Sequence, residues 1–113
     1  MPIKNLTRKT ILAKKYKICR SIFSKTLGLM LSTKPKTLVF IFKKEKINPL
    51  HMLFVFYPID VLFLDKNKKV AEIKNNFKPF TFYTPKKKSK YIIELQKDSI
   101  KDSKTEMNDK ISF

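Results

Sequence analysis

The feature that most constrains the fold is an almost unbroken apolar run from Leu50 to Leu64. A membrane-spanning helix needs about 20 apolar residues, so this run is too short to be one. Pro58 and Asp60 also interrupt it. We therefore expect two buried β-strands rather than a membrane anchor, and we assign them to residues 51–56 and 59–64.

Asp60 is the residue of this run that most needs a physical explanation. An ionised carboxylate among apolar strand residues is costly unless polar partners satisfy it, so Asp60 must accept hydrogen bonds, lose its charge or face a cleft. Strand alternation predicts that it shares one face with Leu62 and Leu64. Two interpretations stay open: Asp60 is a structural carboxylate that accepts backbone N–H bonds, or it belongs to a binding site.

A β-hairpin is expected directly after this strand. The segment from Asp65 to Lys68 predicts a turn, in which Asn67 is the residue that best suits a left-handed conformation. Residues 69–74 predict the returning antiparallel strand.

The rest of the chain predicts short strands and little helix. Further strands are expected at 16–20, 37–42, 91–96 and 110–113. Residues 77–82, which contain Pro79, are expected to form an edge strand or an extended loop. In the strand at 91–96, alternation places two sets of side chains on opposite faces. One set is Tyr91, Ile93 and Leu95, and the other is Ile92, Glu94 and Gln96. An apolar stripe predicts a helix over 21–31, and Asp98 can cap a helical turn over 99–103.

Seven or so short strands without βαβ alternation indicate a mainly β fold with a minor α component. We expect a small, closed, β-barrel-like sheet of about seven strands with one helix packed on it. The length of 113 residues is typical of one domain, so we expect a single domain over 1–113. Its polar, lysine-rich segments 1–9 and 97–109 are expected to be partly flexible.

The formal net charge of +17 raises nucleic acid as a partner. The densest basic cluster consists of Lys86, Lys87, Lys88 and Lys90, with aromatic residues around it, a pattern that can follow a phosphate backbone while bases stack. Only two of the 26 basic residues are arginines, whereas interfaces that read base sequence favour the bidentate guanidinium. The alternative interpretation is a solvated, lysine-rich connection between two strands.

Several blocks of the sequence resemble one known family. They are Gly28-Leu29-Met30, His51-Met52, Pro58 to Asp65, Tyr83-Thr84-Pro85 and Tyr91 to Leu95. Together they are similar to the prokaryotic family catalogued as domain of unknown function 192, in the form seen in its archaeal members. The resemblance implies a compact β-barrel-like fold with a helix packed on it, and it implies no established activity. Where the family usually has a glycine before its last turn, this chain has Asn108, which tolerates a left-handed backbone.

These features favour a non-enzymatic module that binds a small ligand or a partner protein. Its expected site contains Asp60, with His51, Tyr57 and Tyr83 as neighbours. An enzyme would instead use Asp60 and His51 as acid and base, and the structural interpretation of His51 is a strand residue bonded to backbone. The runner-up function is electrostatic binding of RNA or DNA through the lysine cluster.

The remaining expectations concern metals, compartment and assembly. One histidine and one cysteine, Cys19, do not make a multi-ligand metal site, so we expect no metal and no cofactor. A lone cysteine forms no intramolecular disulfide, and no secretory signal pattern is present, so a cytoplasmic protein is expected. We expect no membrane partner and a monomer or weak dimer.

Overall fold

The computed structural model describes residues 2–19, 37–48, 50–51, 57–78 and 81–113. Ten strands and one short helix lie within these residues: β1 Ile3–Asn5, β2 Thr10–Ala13, β3 Lys17–Cys19, β4 Leu38–Lys46, β5 Leu50–His51, β6 Ile59–Leu64, β7 Val70–Phe77, β8 Phe82–Tyr83, β9 Ser89–Gln96, α1 Ser99–Asp102 and β10 Ile111–Ser112. The helix expected over 21–31 and residues 52–56 of an expected strand lie outside the described residues. In the described part of the chain, no helix has the length and apolarity needed to cross a membrane.

The strands form one large sheet and two small ones. The large sheet has the order β3-β4-β9-β6-β7, with β9 antiparallel to both of its neighbours and β3 parallel to β4. The small sheets have the orders β10-β1-β2 and β5-β8. An isolated bridge between Lys69 and Lys110 joins the large sheet to the first small one, and the backbone N–H of Val70 donates to the Asp109 carbonyl beside it at 2.9 Å. The mainly β prediction is therefore confirmed, whereas the closed, barrel-like sheet is not, because no ladder joins β2 to β3 among the described residues.

Two apolar cores lie on opposite faces of the large sheet, because its central strands are apolar on both sides. We call them the Phe63 core and the Leu62 core. The Phe63 core contains Leu38, Phe40, Ile59, Val61, Phe63, Phe77 and Ile92. The Leu62 core contains Ile3, Leu12, Val39, Leu62, Leu64, Val70, Ile93, Leu95, Ile100 and Ile111. The alternation predicted for β6 and β9 is thus confirmed.

The hairpin of β6 and β7 is confirmed, but the left-handed residue of its turn was wrongly predicted. Lys68, not Asn67, has a positive φ of 62°. Asp65 Oδ1 accepts the backbone N–H groups of Asn67 and Lys69 at 2.8 and 3.1 Å. These bonds, with the 3.0 Å bond from the Lys68 N–H to the Asp65 carbonyl, make a tight turn whose last residue takes the left-handed position. The positive φ expected at Asn108 is confirmed, at 70°.

A buried polar network connects the two ends of the described chain. Asn5 Nδ2 donates to Asp109 Oδ2 at 2.9 Å and to Thr105 Oγ1 at 3.0 Å. Arg8 Nε and the backbone N–H of Glu106 donate to the same Asp109 oxygen at 3.1 and 2.9 Å. Burial opposes the charge of Asp109, but these bonds and the nearby guanidinium outweigh it and lower the pKa of the carboxyl. The network holds β1 against the last turn. No strand was expected in this region from the sequence.

Single-domain organisation over 1–113 stays a prediction, as does partial flexibility of 1–9 and 97–109. Within those segments the structure has β1 and α1. Neither β1 nor β2 was predicted, because each is short and contributes only one buried apolar side chain, Ile3 and Leu12.

Candidate functional site

Asp60 is 2% exposed, and both of its carboxylate oxygens accept backbone hydrogen bonds. Oδ1 accepts the N–H of Asn76 at 3.0 Å, and Oδ2 accepts the N–H of Ile100 at 3.2 Å. The bond to Asn76 is made at a β-bulge, because Asn75 and Asn76 on β7 together oppose Asp60 on β6. Asn76 takes the left-handed conformation there, with φ 50°. Asp60 thus fixes an irregular position of the sheet.

The second bond gives Asp60 the capping role that the sequence assigned to Asp98. Asp98 does precede α1, as predicted, but it has φ 70° and its side chain makes no capping hydrogen bond. Ile100 is the second residue of α1, so the Asp60 carboxylate supplies an acceptor for one of the unpaired N–H groups of the first helical turn. These contacts favour the structural interpretation of Asp60.

The residues expected around Asp60 lie elsewhere. Asp60 lines an open groove of about 680 Å³, together with residues such as Arg8 and Lys101. Tyr57 and Tyr83 do not line this groove; they pack against the Phe63 core, on the other face of the sheet. The backbone of His51 pairs with Phe82, and its side chain lies outside the described set. The structure therefore brings the two tyrosines to one face and leaves Asp60 on the other.

Glu94 is the residue that sequence analysis placed correctly but did not recognise as a candidate. It lies on the central strand β9, and its cross-strand partners are Leu38 on β4 and Val61 on β6. Both partners belong to the Phe63 core, so the Glu94 side chain enters that core. A signal was present in the sequence, because Glu94 follows Ile92 by two residues in a strand that is apolar on both faces.

One oxygen of the Glu94 carboxyl is buried without a hydrogen-bond partner among the described residues. This oxygen is Oε2, and the residue is 7% exposed. Burial raises the pKa of Glu94 to about 8, because the charged form loses its hydration. Glu94 is therefore a carboxylic acid, not a carboxylate, near neutral pH.

Leu38, Glu94, Val61 and Lys74 form one row across four strands. Lys74 is the cation of this row, and two strand spacings put its Cα about 10 Å from that of Glu94. The Lys74 ammonium lies 5.1 Å from the centroid of the Tyr83 ring. No described ion pair connects it to Glu94.

The Tyr57 hydroxyl is a second polar group of the same kind. It is buried and has no hydrogen-bond partner in the described part of the chain. Tyr57 lies four residues before Val61 in the chain, just before β6. Buried polar atoms are normally paired, so two unpaired ones against one core are an exception that calls for an explanation.

Tyr83, unlike Tyr57, is paired. Its hydroxyl donates to Glu72 Oε2, and burial together with this carboxylate raises the pKa of Tyr83 to about 12. Glu72 Oε1 also accepts the backbone N–H groups of Lys86 and Lys87, at 2.8 and 3.0 Å. Glu72 thus fixes the backbone of the lysine cluster, where Lys86 to Lys88 are exposed. Lys90 is half-buried, with its ammonium 5.9 Å from the centroid of the Tyr91 ring.

Comparison with solved structures supports the fold. A crystal structure from Sinorhizobium meliloti 1021, described provisionally as a transcription regulator, superposes with a TM-score of 0.86 at 16% identity over 98% of this chain and 89% of that chain. A protein of unknown function from Novosphingobium aromaticivorans superposes with a TM-score of 0.87 at 17% identity, over 100% of this chain and 84% of that one. At these identities the likeness concerns the fold alone.

Comparison with sequences identifies the family. The UPF0127 protein of Pyrococcus horikoshii is 37% identical over 99 residues, which cover 86% of this chain and 85% of that protein. The UPF0127 protein of Thermococcus sibiricus is 36% identical over 112 residues, or 96% of this chain and 72% of that protein. Residues 4–113 match the family of domain of unknown function 192, described as "Uncharacterized ACR". The chain belongs to this family, as its sequence blocks indicated.

Proposed function

We propose that this chain is a non-enzymatic binding module for a small, largely apolar ligand. The ligand contacts the Phe63 core, and its polar group bonds to Glu94 and Tyr57. The observation that carries the proposal is the pair of buried polar atoms, Glu94 Oε2 and the Tyr57 hydroxyl, that lack partners among the described residues. Leaving such a group unpaired costs about 1–3 kcal/mol, which a suitable ligand would recover.

The residue types around Glu94 are those that commonly line small-molecule sites. Such sites combine apolar and aromatic walls with a few polar groups and residues of perturbed pKa. Here Phe40, Phe63 and Tyr83 supply the aromatic surface, and Glu94 supplies the perturbed group. Of the site residues expected from the sequence, Tyr57 and Tyr83 belong to the proposed site, whereas Asp60 is assigned a structural role.

The test uses phenol, whose ring is apolar and whose hydroxyl can donate or accept. Methyl-resolved NMR of the full chain is recorded during a phenol titration. We expect shifts at Leu38 and Val61 but not at Leu64 or Val70 of the other core, and a weaker response in Glu94→Leu. A Glu106→Gln variant, changed at an exposed carboxyl, is the control and should respond as wild type. Equal shifts in both cores, or an unchanged response in Glu94→Leu, would refute the proposal.

The second candidate function is binding of single-stranded nucleic acid at the lysine cluster. Two observations favour it: Lys86 to Lys88 make no ion pair within the described residues, and the aromatic side chain of Phe82 is 71% exposed nearby in sequence. Stacking on an aromatic ring beside a rigid basic loop is the usual mode of such binding.

Fluorescence anisotropy with a labelled oligonucleotide of uridines tests this candidate. Three phosphate contacts predict that log affinity falls against log salt with a slope of about −2 on a single strand. A variant with serine at 86–88 should lose this slope, whereas a variant with serine at Lys14, Lys15 and Lys17 is the charge-matched control. A slope near zero in wild type, or equal losses in both variants, would eliminate the candidate.

A further inference from the structure

We propose that a groove beside the connection from β2 to β3 binds the phosphate group of a small organic phosphate monoester. The groove has a volume of about 680 Å³, and its other walls come from the start of β4, the end of β9 and the start of α1. We call it the lysine groove. Of the described residues, neither Glu94 nor Tyr57 lines it. The proposal therefore goes beyond the proposed function and concerns a separate site.

The charged side chains of the lysine groove have one sign. Lys14, Lys15 and Lys17 line it, and no described aspartate or glutamate does. None of these lysines makes an ion pair within the described residues. The groove at Asp60 has the same volume, but acids as well as bases line it. The lysine groove is thus the one whose own charges attract an anion.

The remaining walls strengthen this attraction and add hydrogen-bond donors. Leu12 and Leu38 form apolar parts of the wall and are 7% and 1% exposed. A cleft with charges of one sign and walls of low dielectric concentrates the electrostatic field. Thr37, Gln96 and Ser99 contribute O–H and N–H groups that can donate to phosphate oxygens. The lining therefore suits a molecule with an anionic group on an organic body.

The backbone that carries the lysines is held on both sides. Tyr16, between Lys15 and Lys17, packs against the Leu62 core, and its ring centroid lies 6.3 Å from that of Phe113. The Lys17 N–H donates to the Thr37 carbonyl at 3.1 Å, where β3 begins to pair with β4. A site that is already ordered loses less conformational entropy when a ligand binds.

The number of lysines favours a phosphate monoester over a carboxylate. A phosphate monoester carries nearly two negative charges near neutral pH and offers three acceptor oxygens, whereas a carboxylate carries one charge. Lysine commonly binds phosphate, as a point charge. The volume is typical of a site for one small molecule, so we assign a free organic phosphate rather than a polynucleotide.

The experiment compares three probes that share a benzene ring. Phenyl phosphate, benzoate and phenol are respectively a dianion, a monoanion and a neutral molecule at a pH of about 7.5. Methyl-resolved NMR of the full chain follows Leu12 and Ala13, which line the lysine groove and contact the Leu62 core, whereas Leu38 also belongs to the Phe63 core. We expect phenyl phosphate to bind about tenfold more tightly than benzoate, and phenol to shift neither reporter.

Two variants that remove equal charge locate the site. Serine at Lys14, Lys15 and Lys17 should weaken binding of phenyl phosphate about tenfold, whereas serine at 86–88 should leave it within about twofold of wild type. All six lysines are exposed, and both variants are first checked for the wild-type pattern of backbone amide shifts. The variants thus exchange the roles that they have in the oligonucleotide experiment.

Each other outcome would overturn the proposal. Equal losses in both variants, or no shift at Leu12 and Ala13, would mean that the groove holds no phosphate site. Benzoate that binds as tightly as phenyl phosphate, or phenol that shifts the same methyl groups, would refute the assignment of the ligand class. Displacement of phenyl phosphate by the oligonucleotide of uridines would make the groove part of a nucleic-acid surface. The phenol shifts at Leu38 and Val61 test the proposed function independently of these results.

Discussion

Replacing Glu94 by glutamine should change how the stability of the fold depends on pH. The pKa of Glu94 is raised by burial from its ordinary value of 4.5 to about 8. Between these pH values the folded chain holds a proton that the unfolded chain has released, so the free energy of unfolding falls as pH rises. At about 1.4 kcal/mol per pH unit, the interval between the two pKa values corresponds to a loss of about 5 kcal/mol in the free energy of unfolding. The contribution of the protonated Glu94 to stability is fully present below pH 4.5, and it falls no further above a pH of about 8.

Urea unfolding of wild type and Glu94→Gln at pH values from about 5 to 9 measures this difference, because glutamine does not titrate. Subtracting the two curves removes the contributions of all other groups. The stability of wild type relative to Glu94→Gln should fall steadily to a pH of about 8 and then level off. The exposed Glu106→Gln variant should keep the wild-type slope. A difference that stays constant within about 1 kcal/mol, or that grows with pH, would refute the argument that Glu94 is buried without a partner.

Three further predictions follow from the hydrogen bonds and the backbone. Asp60→Ala removes the acceptor of two backbone N–H groups and should cost about 3 kcal/mol in urea unfolding, with faster hydrogen exchange at the Ile100 amide; unchanged exchange there would contradict the capping role. Asp109→Asn should cost about 2 kcal/mol near neutral pH, and because the pKa of Asp109 is lowered, the cost should shrink as pH falls below its ordinary value of 3.8. Asn108→Gly should stabilise the fold by up to about 1 kcal/mol, since φ is 70° there, and a lower midpoint in urea would count against this reasoning.

Alternation carried most of the correct sequence-based predictions. β6 and β9 are long and apolar, and β7 follows β6 through a turn that the sequence predicts, so the existence of these strands and the two faces of β6 and β9 follow from pattern alone. β1 could not be found in this way, because it is stabilised by pairing with β2 and with β10, which is distant in sequence. Long-range pairing of so short a strand leaves no local signal. β2 was missed because its residues, Thr10 to Ala13, do not alternate between apolar and polar.

The candidate site was predicted less well, for a different reason. The sequence shows that Asp60 is an acid in an apolar run, but not that backbone N–H groups from β7 and α1 reach both of its oxygens. Glu94 is also an acid in an apolar strand, but its Oε2 atom has no described hydrogen-bond partner, because its neighbours on β4 and β6 are apolar. Which buried acid is satisfied depends on bulges and tertiary contacts, and neither is visible in the periodicity of a strand.

The Asn5–Asp109 hydrogen bond spans 104 residues of sequence, which has a consequence for synthesis in the cell. The sheet that β1 forms with β10 cannot be completed on the ribosome until the residues of β10 have left the exit tunnel. Until then Ile3 and Leu12 have no partner strand beyond their own hairpin, and the Leu62 core remains open on that side. Non-local pairing of this kind makes folding slow and exposes apolar surface to aggregation. Completion of the Leu62 core should therefore wait until β10 has emerged.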